Sequence, residues 1–187
     1  MFRWTCPFLL AACFAVQAAP AVPAEDDVGR FIADQGLLSR LEQVRSTVTS
    51  KASELVLTAM GFMGVPYRRG GNSADTGFDC SGFVRAMYEQ TLGLMLPRRA
   101  NEQAAATQKI DKQDLQPGDL VFFNTMKHAF SHVGIYVGDG KFIHSPRPGA
   151  QVRVEDMGGN YWQRRFDGAR RVTAAAAGLA IDSPAQP

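Results

Sequence analysis

The chain has 187 residues, 45% of them hydrophobic and 20% charged, as in an ordinary soluble globular protein with one sizeable core. The formal net charge of +2 is too small to predict nucleic-acid binding, and the basic residues occur in pairs, not in one stripe. After the N-terminal stretch, no segment is long and apolar enough to predict a transmembrane span.

The first 18 residues are typical of an export signal. Arg3 supplies a positive charge, a mostly apolar stretch follows, and Val16-Gln17-Ala18 offers small residues where a signal peptidase reads them. We therefore expect export, with a mature chain that starts at Ala19. The alternative is a lipoprotein signal over residues 1–12 with Cys13 as the lipidated residue, and only then do we expect a membrane anchor.

Three helices are predicted in the first half of the chain. A leader over residues 19–49 contains one loose helix over 28–49. Ser50 is expected to cap a second helix that reaches about Met63. A loop rich in glycine then leads to a third helix over residues 80–92.

The second half of the chain predicts short strands, over residues 120–123, 133–137, 141–145, 151–154 and 169–172. Gly138-Asp139-Gly140 is a strong hairpin signal between the second and third of them. Helices followed by antiparallel strands predict an α+β fold, in one domain over residues 50–173. Residues 174–187 are rich in alanine and proline and are expected to form a disordered tail.

Cys80 is the one thiol outside the export signal, since Cys6 and Cys13 lie within it. A lone thiol in an exported protein is exposed to oxidation, so its presence suggests a use. Asp79 is placed to cap the helix that starts at Cys80. The thiol then lies in the first helical turn, where the helix dipole favours a thiolate, and we expect a neighbouring imidazole to complete the lowering of its pKa.

The predicted hairpin supplies two histidines for this role. With a three-residue loop over 138–140, Gly134 stands opposite His144, and His132 lies diagonal to His144 on the same face. With a two-residue loop the register moves by one residue and the histidines fall on opposite faces. The first register predicts His132 as the base for Cys80 and His144 as the residue that orients it.

Other interpretations use the same three residues. A buried cysteine is usually an inert small hydrophobe, and a lone strand histidine is more often structural than catalytic. Cys80, His132 and His144 could also bind a catalytic zinc ion with one open position. We rank zinc below catalysis because the chain has no closely spaced pair of ligands, and we expect no metal or other cofactor. His128 is expected on the surface.

Six sequence blocks, taken together and in this order, resemble the NlpC/p60 family of papain-like cysteine peptidases, over roughly residues 52–173. The blocks are GVPYRRGG at 64–71, FDCSGF at 78–83, PR at 97–98, LQPGDLVFF at 115–123, HVGIYVG at 132–138 and FIHS at 142–145. The resemblance implies a papain-like α+β fold in which the nucleophile begins a helix packed on an antiparallel sheet.

The resemblance also implies roles for single residues. It implies Cys80 as nucleophile, His132 as base and His144 as the orienting third residue. Other residues are implied to act in oxyanion stabilisation or substrate binding, namely Tyr67, Ser81 and Asp79.

The function implied by the resemblance is that of an exported endopeptidase, similar to the small murein endopeptidases of Gram-negative envelopes. Its substrates would be amide bonds in peptidoglycan stem peptides or their cross-links. We expect a monomer in the periplasm, or an outer-membrane lipoprotein if Cys13 is lipidated. Two alternatives stay open: a non-catalytic protein that binds or regulates the cell wall, and an amidase or acyltransferase on the same scaffold.

Overall fold

A computed structural model describes residues 25–173, so the export signal and the C-terminal tail predicted above lie outside the described residues. The helices are α1 (Glu25–Gly61), α2 (Cys80–Leu92), α3 (Ala100–Ala105) and α4 (Asn160–Gln163), with a 3-10 turn at Lys112–Asp114. The strands are β1 (Asn72–Ser73), β2 (Gly77–Phe78), β3 (Gln108–Ile110), β4 (Leu120–Phe123), β5 (His132–Gly138), β6 (Lys141–His144), β7 (Arg153–Asp156) and β8 (Phe166–Arg171).

The chain divides into two units, of which the first ends at Glu42 and the second begins at Gln43. In the first unit, α1 exposes the leucines at 37, 38 and 41. The second unit contains a six-stranded antiparallel sheet in the order β3-β8-β4-β5-β6-β7, with helices packed on it. The predicted α+β class is confirmed. No helix within residues 25–173 is long and apolar enough to cross a membrane.

Helix α2 has the predicted bounds, because both of its ends are determined locally. The Asp79 carboxylate accepts a hydrogen bond of 2.7 Å from the Gly82 N–H, which satisfies one of the free donors of the first turn. At the other end Gly93 adopts a left-handed conformation with φ 66°, which glycine takes without steric cost. The apolar stripe of α2 is buried against the sheet.

The predicted helix start at Ser50 is wrong, because α1 passes through this residue without a break. The Ser50 hydroxyl donates to the carbonyl oxygen of Thr47 at 2.8 Å, one turn earlier. A serine bonded in this way is tolerated inside a helix, so its preference for caps is overridden. The helix also ends at Gly61, two residues before the predicted end at Met63.

Both faces of the central sheet are covered. Leu120 and Phe122 of β4 face the larger core with α2, while Val121 and Phe123 face a smaller cluster that contains Trp162. All four side chains are fully buried, which explains why this strand is continuously apolar instead of alternating. The smaller cluster lies beside the two hairpin histidines, since Trp162 packs on both of their rings.

Candidate active site

The loop of the β5–β6 hairpin is one residue shorter than predicted, but the strands pair in the predicted register. Gly138 pairs with Lys141, so the loop has two residues, Asp139 and Gly140, both in the left-handed conformation that such tight turns require. The register then shifts by one residue, and Tyr136 pairs with Phe142. The extra residue in β5 is a β-bulge, and it returns the strand to the register expected for a three-residue loop.

The bulge places the two histidines on one face of the hairpin. Nε2 of His132 lies 2.7 Å from Nδ1 of His144, a hydrogen bond between perpendicular rings. Both side chains are buried, with 4% and 0% of their surface exposed. A Cβ atom at Gly134 would lie 3.2 Å from His144 Cβ and 2.6 Å from the Phe142 ring, so only glycine leaves room for this contact.

Burial holds both imidazoles in the neutral form. It lowers the pKa of His132 to about 3, and the neighbouring His144 lowers it further. Burial also lowers the pKa of His144, against the opposing effect of Glu155. The pair therefore shares one hydrogen bond between two uncharged rings, and one ring nitrogen of His132 stays outside that bond.

Cys80 is half-buried at the first residue of α2. Its burial raises the pKa of the thiol to about 11, although hydrogen bonds from the backbone at Val133 and Ser81 act in the opposite direction. The expected lowering of this pKa is therefore wrong for the free protein, because the cost of burying a thiolate exceeds the stabilisation by the helix start. The resting residue is a neutral thiol.

Cys80 and His132 line one cavity of about 600 Å³, together with Tyr67, Arg153 and Trp162. Within residues 25–173, no hydrogen bond joins the Cys80 thiol to the His132 ring. The same part of the chain holds no group of three or more His, Cys, Asp or Glu side chains arranged to bind a metal ion, so nothing in this geometry favours the zinc interpretation.

Asp79 and Ser81 lie beside Cys80 in a network centred on Arg98. The Arg98 guanidinium donates to both carboxylate oxygens of Asp79, at 2.9 and 2.6 Å, and to the Ser81 hydroxyl at 3.0 Å. Asp79 also accepts from the Gly70 N–H at 2.9 Å. These bonds hold the loop before α2 against the helix start, and neither Asp79 nor Ser81 lines the cavity.

Tyr67 does line the cavity, as Cys80 does. Burial raises the pKa of its phenol, and the proximity of Cys80 and Asp79 raises it further. The side chain therefore keeps its proton at neutral pH and can donate a hydrogen bond into the cavity.

Glu155 and Trp162 complete the site and were not found from the sequence. Glu155 Oε1 lies 3.7 Å from His144 Nε2, and Oε2 accepts a hydrogen bond from the Trp162 indole. The contact with His144, with further hydrogen bonds from Trp162 and Arg153, lowers the pKa of this carboxyl to about 2. The Trp162 ring stacks on His132 with 5.7 Å between centroids.

A sequence signal for Glu155 existed but was incomplete. A strand was expected over residues 151–154, whereas β7 covers Arg153–Asp156. His144 pairs with Arg153, and Phe142 pairs with Glu155, so the acid lies on the same face as the histidines. The loop between β6 and β7 is too long for its register to be read from turn chemistry.

Ser145, directly after β6, connects the hairpin to the loop that precedes Cys80. Its buried hydroxyl donates to the carbonyl oxygen of Phe78 at 2.7 Å. Ser145 follows His144, and Phe78 lies two residues before Cys80. This hydrogen bond therefore fixes the end of β6 against the loop that leads to Cys80.

The raised pKa of Cys80 predicts how its alkylation depends on pH. We expect the rate of reaction with iodoacetamide to rise about tenfold per pH unit from pH 6 to pH 10, because only the thiolate reacts. Mass spectrometry of the peptide that contains Cys80 measures the rate.

The control for this experiment is the chain unfolded in urea, whose thiol has an ordinary pKa and should reach its maximal rate at lower pH than the folded protein. A rate for the folded protein that is already constant below pH 6 would contradict the prediction, since it would show a preformed thiolate beside an imidazolium.

Comparisons with known proteins identify the family of this chain. Residues 64–171 match the NlpC/P60 family, which is more than half of the chain. The chain belongs to the NlpC/P60 family. Cys80, both hairpin histidines and Glu155 lie within the matched range.

Two relatives from Escherichia coli are similar to this chain over different shares of their length. The chain is 42% identical over 136 residues to murein DD-endopeptidase MepH, which covers 71% of this chain and 50% of MepH. It is 34% identical over 166 residues to the protein named murein DD-endopeptidase MepS/murein LD-carboxypeptidase, covering 88% and 86%. The chain thus spans half the length of MepH and most of MepS.

A solved structure supports the same assignment. An NlpC/P60 family protein from Bacillus cereus is 38% identical and superimposes with a TM-score of 0.60. The match covers 64% of this chain and 39% of that protein.

Proposed function

We propose that this chain is a cysteine endopeptidase that hydrolyses amide bonds in peptidoglycan stem peptides or their cross-links. The observation that carries the proposal is the cavity shared by Cys80 and His132, together with the hydrogen bond that joins His132 to the buried His144. The names of the two Escherichia coli relatives, both murein endopeptidases, support the choice of substrate.

The first half of the proposed reaction forms a thioester. The free ring nitrogen of His132, Nδ1, takes the proton of the Cys80 thiol while the sulfur attacks the carbonyl carbon of the scissile amide. Backbone N–H groups at the start of α2, with the Tyr67 hydroxyl, stabilise the oxyanion. The C–N bond then breaks, and His132 returns the proton to the leaving amine.

Water completes the reaction. His132 accepts a proton from water as its oxygen attacks the thioester, and the proton returns to the sulfur when the carboxylic acid product leaves. Because both Cys80 and His132 start neutral, the thiol proton passes to His132 before or during the attack. His144 keeps the His132 ring oriented, while Asp79 and Ser81 contribute through the Arg98 network that holds the helix start.

Export to the periplasm belongs to the same proposal. It rests on the composition of residues 1–18 and on the location of peptidoglycan, the proposed substrate.

Defined muropeptides test this function. The purified chain is incubated with cross-linked dimers and with uncross-linked tetrapeptide monomers, and the products are separated and weighed by mass spectrometry. We expect products whose masses sum to the substrate plus one water, and their identity reports the bond that is cut. Protein alkylated beforehand at Cys80 is the control. The proposal fails if the folded, unmodified protein cleaves no muropeptide in a parallel assay in which MepH cleaves it. Binding of muropeptide without cleavage would favour a non-catalytic role.

A further inference from the structure

His144 has a buried nitrogen with an acid as its neighbour. Its side chain is completely buried, and Nε2 makes no hydrogen bond within 3.5 Å. The nearest acidic oxygen is Oε1 of Glu155, at 3.7 Å. The other ring nitrogen, Nδ1, is occupied by the bond to His132. Whatever lies beside Nε2 therefore decides which of the two nitrogens carries the proton of this neutral ring.

The Glu155 carboxylate is held in place by two donors. The Trp162 indole N–H bonds to Oε2, and the Arg153 guanidinium bonds to Oε1. Strand β7 supplies the backbone position, since Glu155 lies on the same face as His144 one strand away. An ionised carboxylate is acceptor-only, so it can accept a hydrogen bond from an Nε2–H group but cannot donate one to an Nε2 lone pair.

We propose that Glu155 is a positioning residue, which fixes the proton of His144 on Nε2 and thereby sets the tautomer of His132. This inference rests on the proposed function and deepens it. With its proton on Nε2, His144 presents the lone pair of Nδ1 to Nε2 of His132, at 2.7 Å. His132 must then carry its own proton on Nε2, and its Nδ1 lone pair is free to receive the proton of Cys80.

The opposite tautomer shows why the acid matters. If His144 carried its proton on Nδ1, the Nε2 lone pair would face the Glu155 carboxylate, and two acceptors would repel each other in a buried site. His144 would then donate to His132, whose only proton would move to Nδ1. A protonated Nδ1 cannot accept the thiol proton, so the site would be assembled but inactive.

The substitution Glu155→Gln tests the proposal with little change of shape. One amide oxygen cannot accept from His144, Trp162 and Arg153 as the two carboxylate oxygens do, so the preference for Nε2–H on His144 should be lost. We expect kcat on cross-linked muropeptides to fall at least ~10-fold, with KM within about twofold of wild type. The reason is that the wrong tautomer of His132 impairs the chemical step and not the binding of substrate. Asp156→Asn is the matched control, because it removes the same charge from the exposed neighbouring residue of β7.

A spectroscopic readout makes the test independent of activity. Long-range ¹H–¹⁵N correlation spectra distinguish protonated from unprotonated ring nitrogens, and the chain has only three histidines to assign. In the wild type we expect Nε2 protonated and Nδ1 unprotonated in both His132 and His144. Glu155→Gln should shift this pattern toward protonated Nδ1, while Asp156→Asn should leave it unchanged.

Three outcomes test the tautomer assignment, the role of Glu155 and the proposed function separately. A wild-type His144 with its proton on Nδ1 overturns the inference, and this measurement needs no variant even if Glu155→Gln does not fold. Unchanged tautomers and unchanged kcat in a folded Glu155→Gln protein also overturn it. If the wild type shows the expected tautomers but cleaves no muropeptide, the tautomer assignment stands and the proposed function fails.

Discussion

Replacing Cys80 with alanine is expected to lower kcat/KM on cross-linked muropeptides by at least ~10⁴-fold. The thiol forms the covalent bond in the proposed reaction, and no other cysteine is present in residues 25–173. Replacing His132 with alanine should cost about as much, because the neutral thiol cannot be activated without its base. The double substitution should be no worse than either single one, since the two side chains act as a unit.

His128→Ala is the matched control for this series. Its ring is exposed in the loop before β5, and its Nδ1 lies 3.3 Å from the neighbouring Ala129 carbonyl oxygen. We expect full activity from this variant. Initial rates under kcat/KM conditions, with thermal unfolding to confirm that each variant is folded, provide the measurement. Retained cleavage by Cys80→Ala, or losses that add in the double variant, would show that the two residues do not form one catalytic unit.

The second large effect is expected at Gly82, in the first turn of α2. A Cβ atom there would lie 2.1 Å from the carbonyl oxygen of Gly71 and 3.0 Å from Oδ1 of Asp79. The obstacle is the backbone of Gly71, a buried residue, so a small side-chain movement does not relieve it. We expect Gly82→Ala to reduce the free energy of unfolding by about 3 kcal/mol, at the upper end of overpacking costs. The corresponding fall in Tm is about 10 °C.

Gly61→Ala is the control for Gly82→Ala. Gly61 is the last residue of α1, is exposed, and has nothing within 4 Å of an added Cβ atom. Its substitution should be neutral or stabilising by up to about 1 kcal/mol, because alanine restricts the unfolded chain. Chemical denaturation of both variants measures the difference. Equal stability of the two would mean that the loop of Gly71 moves freely and does not fix the start of α2.

Local chemistry explains which predictions from the sequence were accurate. Asp79 caps α2 through a bond to a residue three positions away, and Gly93 ends it through its own backbone conformation. The fully apolar strand β4 also has its predicted bounds. Each of these signals depends on residues within one turn or one strand, so no knowledge of the rest of the fold is needed.

Two of the predictions that the structure contradicts, the helix start at Ser50 and the three-residue loop, failed because a second local arrangement satisfies the same residues. Ser50 was read as a cap, but its hydroxyl bonds back to Thr47 within one long helix. The Gly138-Asp139-Gly140 segment was read as a three-residue loop, but a two-residue turn with a bulge in β5 gives the histidines the same register. The predicted register of the two histidines is therefore confirmed, although the predicted loop length is wrong.

The sequence alone determined the family, the positions of the thiol and the two histidines, and the α+β order of the elements. Only the tertiary structure decided the charge states and the partners of these groups. Burial makes the Cys80 thiol neutral, a long loop brings Glu155 beside His144, and Arg98 reaches Asp79 from a separate segment. Desolvation and long-range pairing depend on the whole packed chain, whereas caps, turns and apolar periodicity are short-range properties that the sequence shows directly.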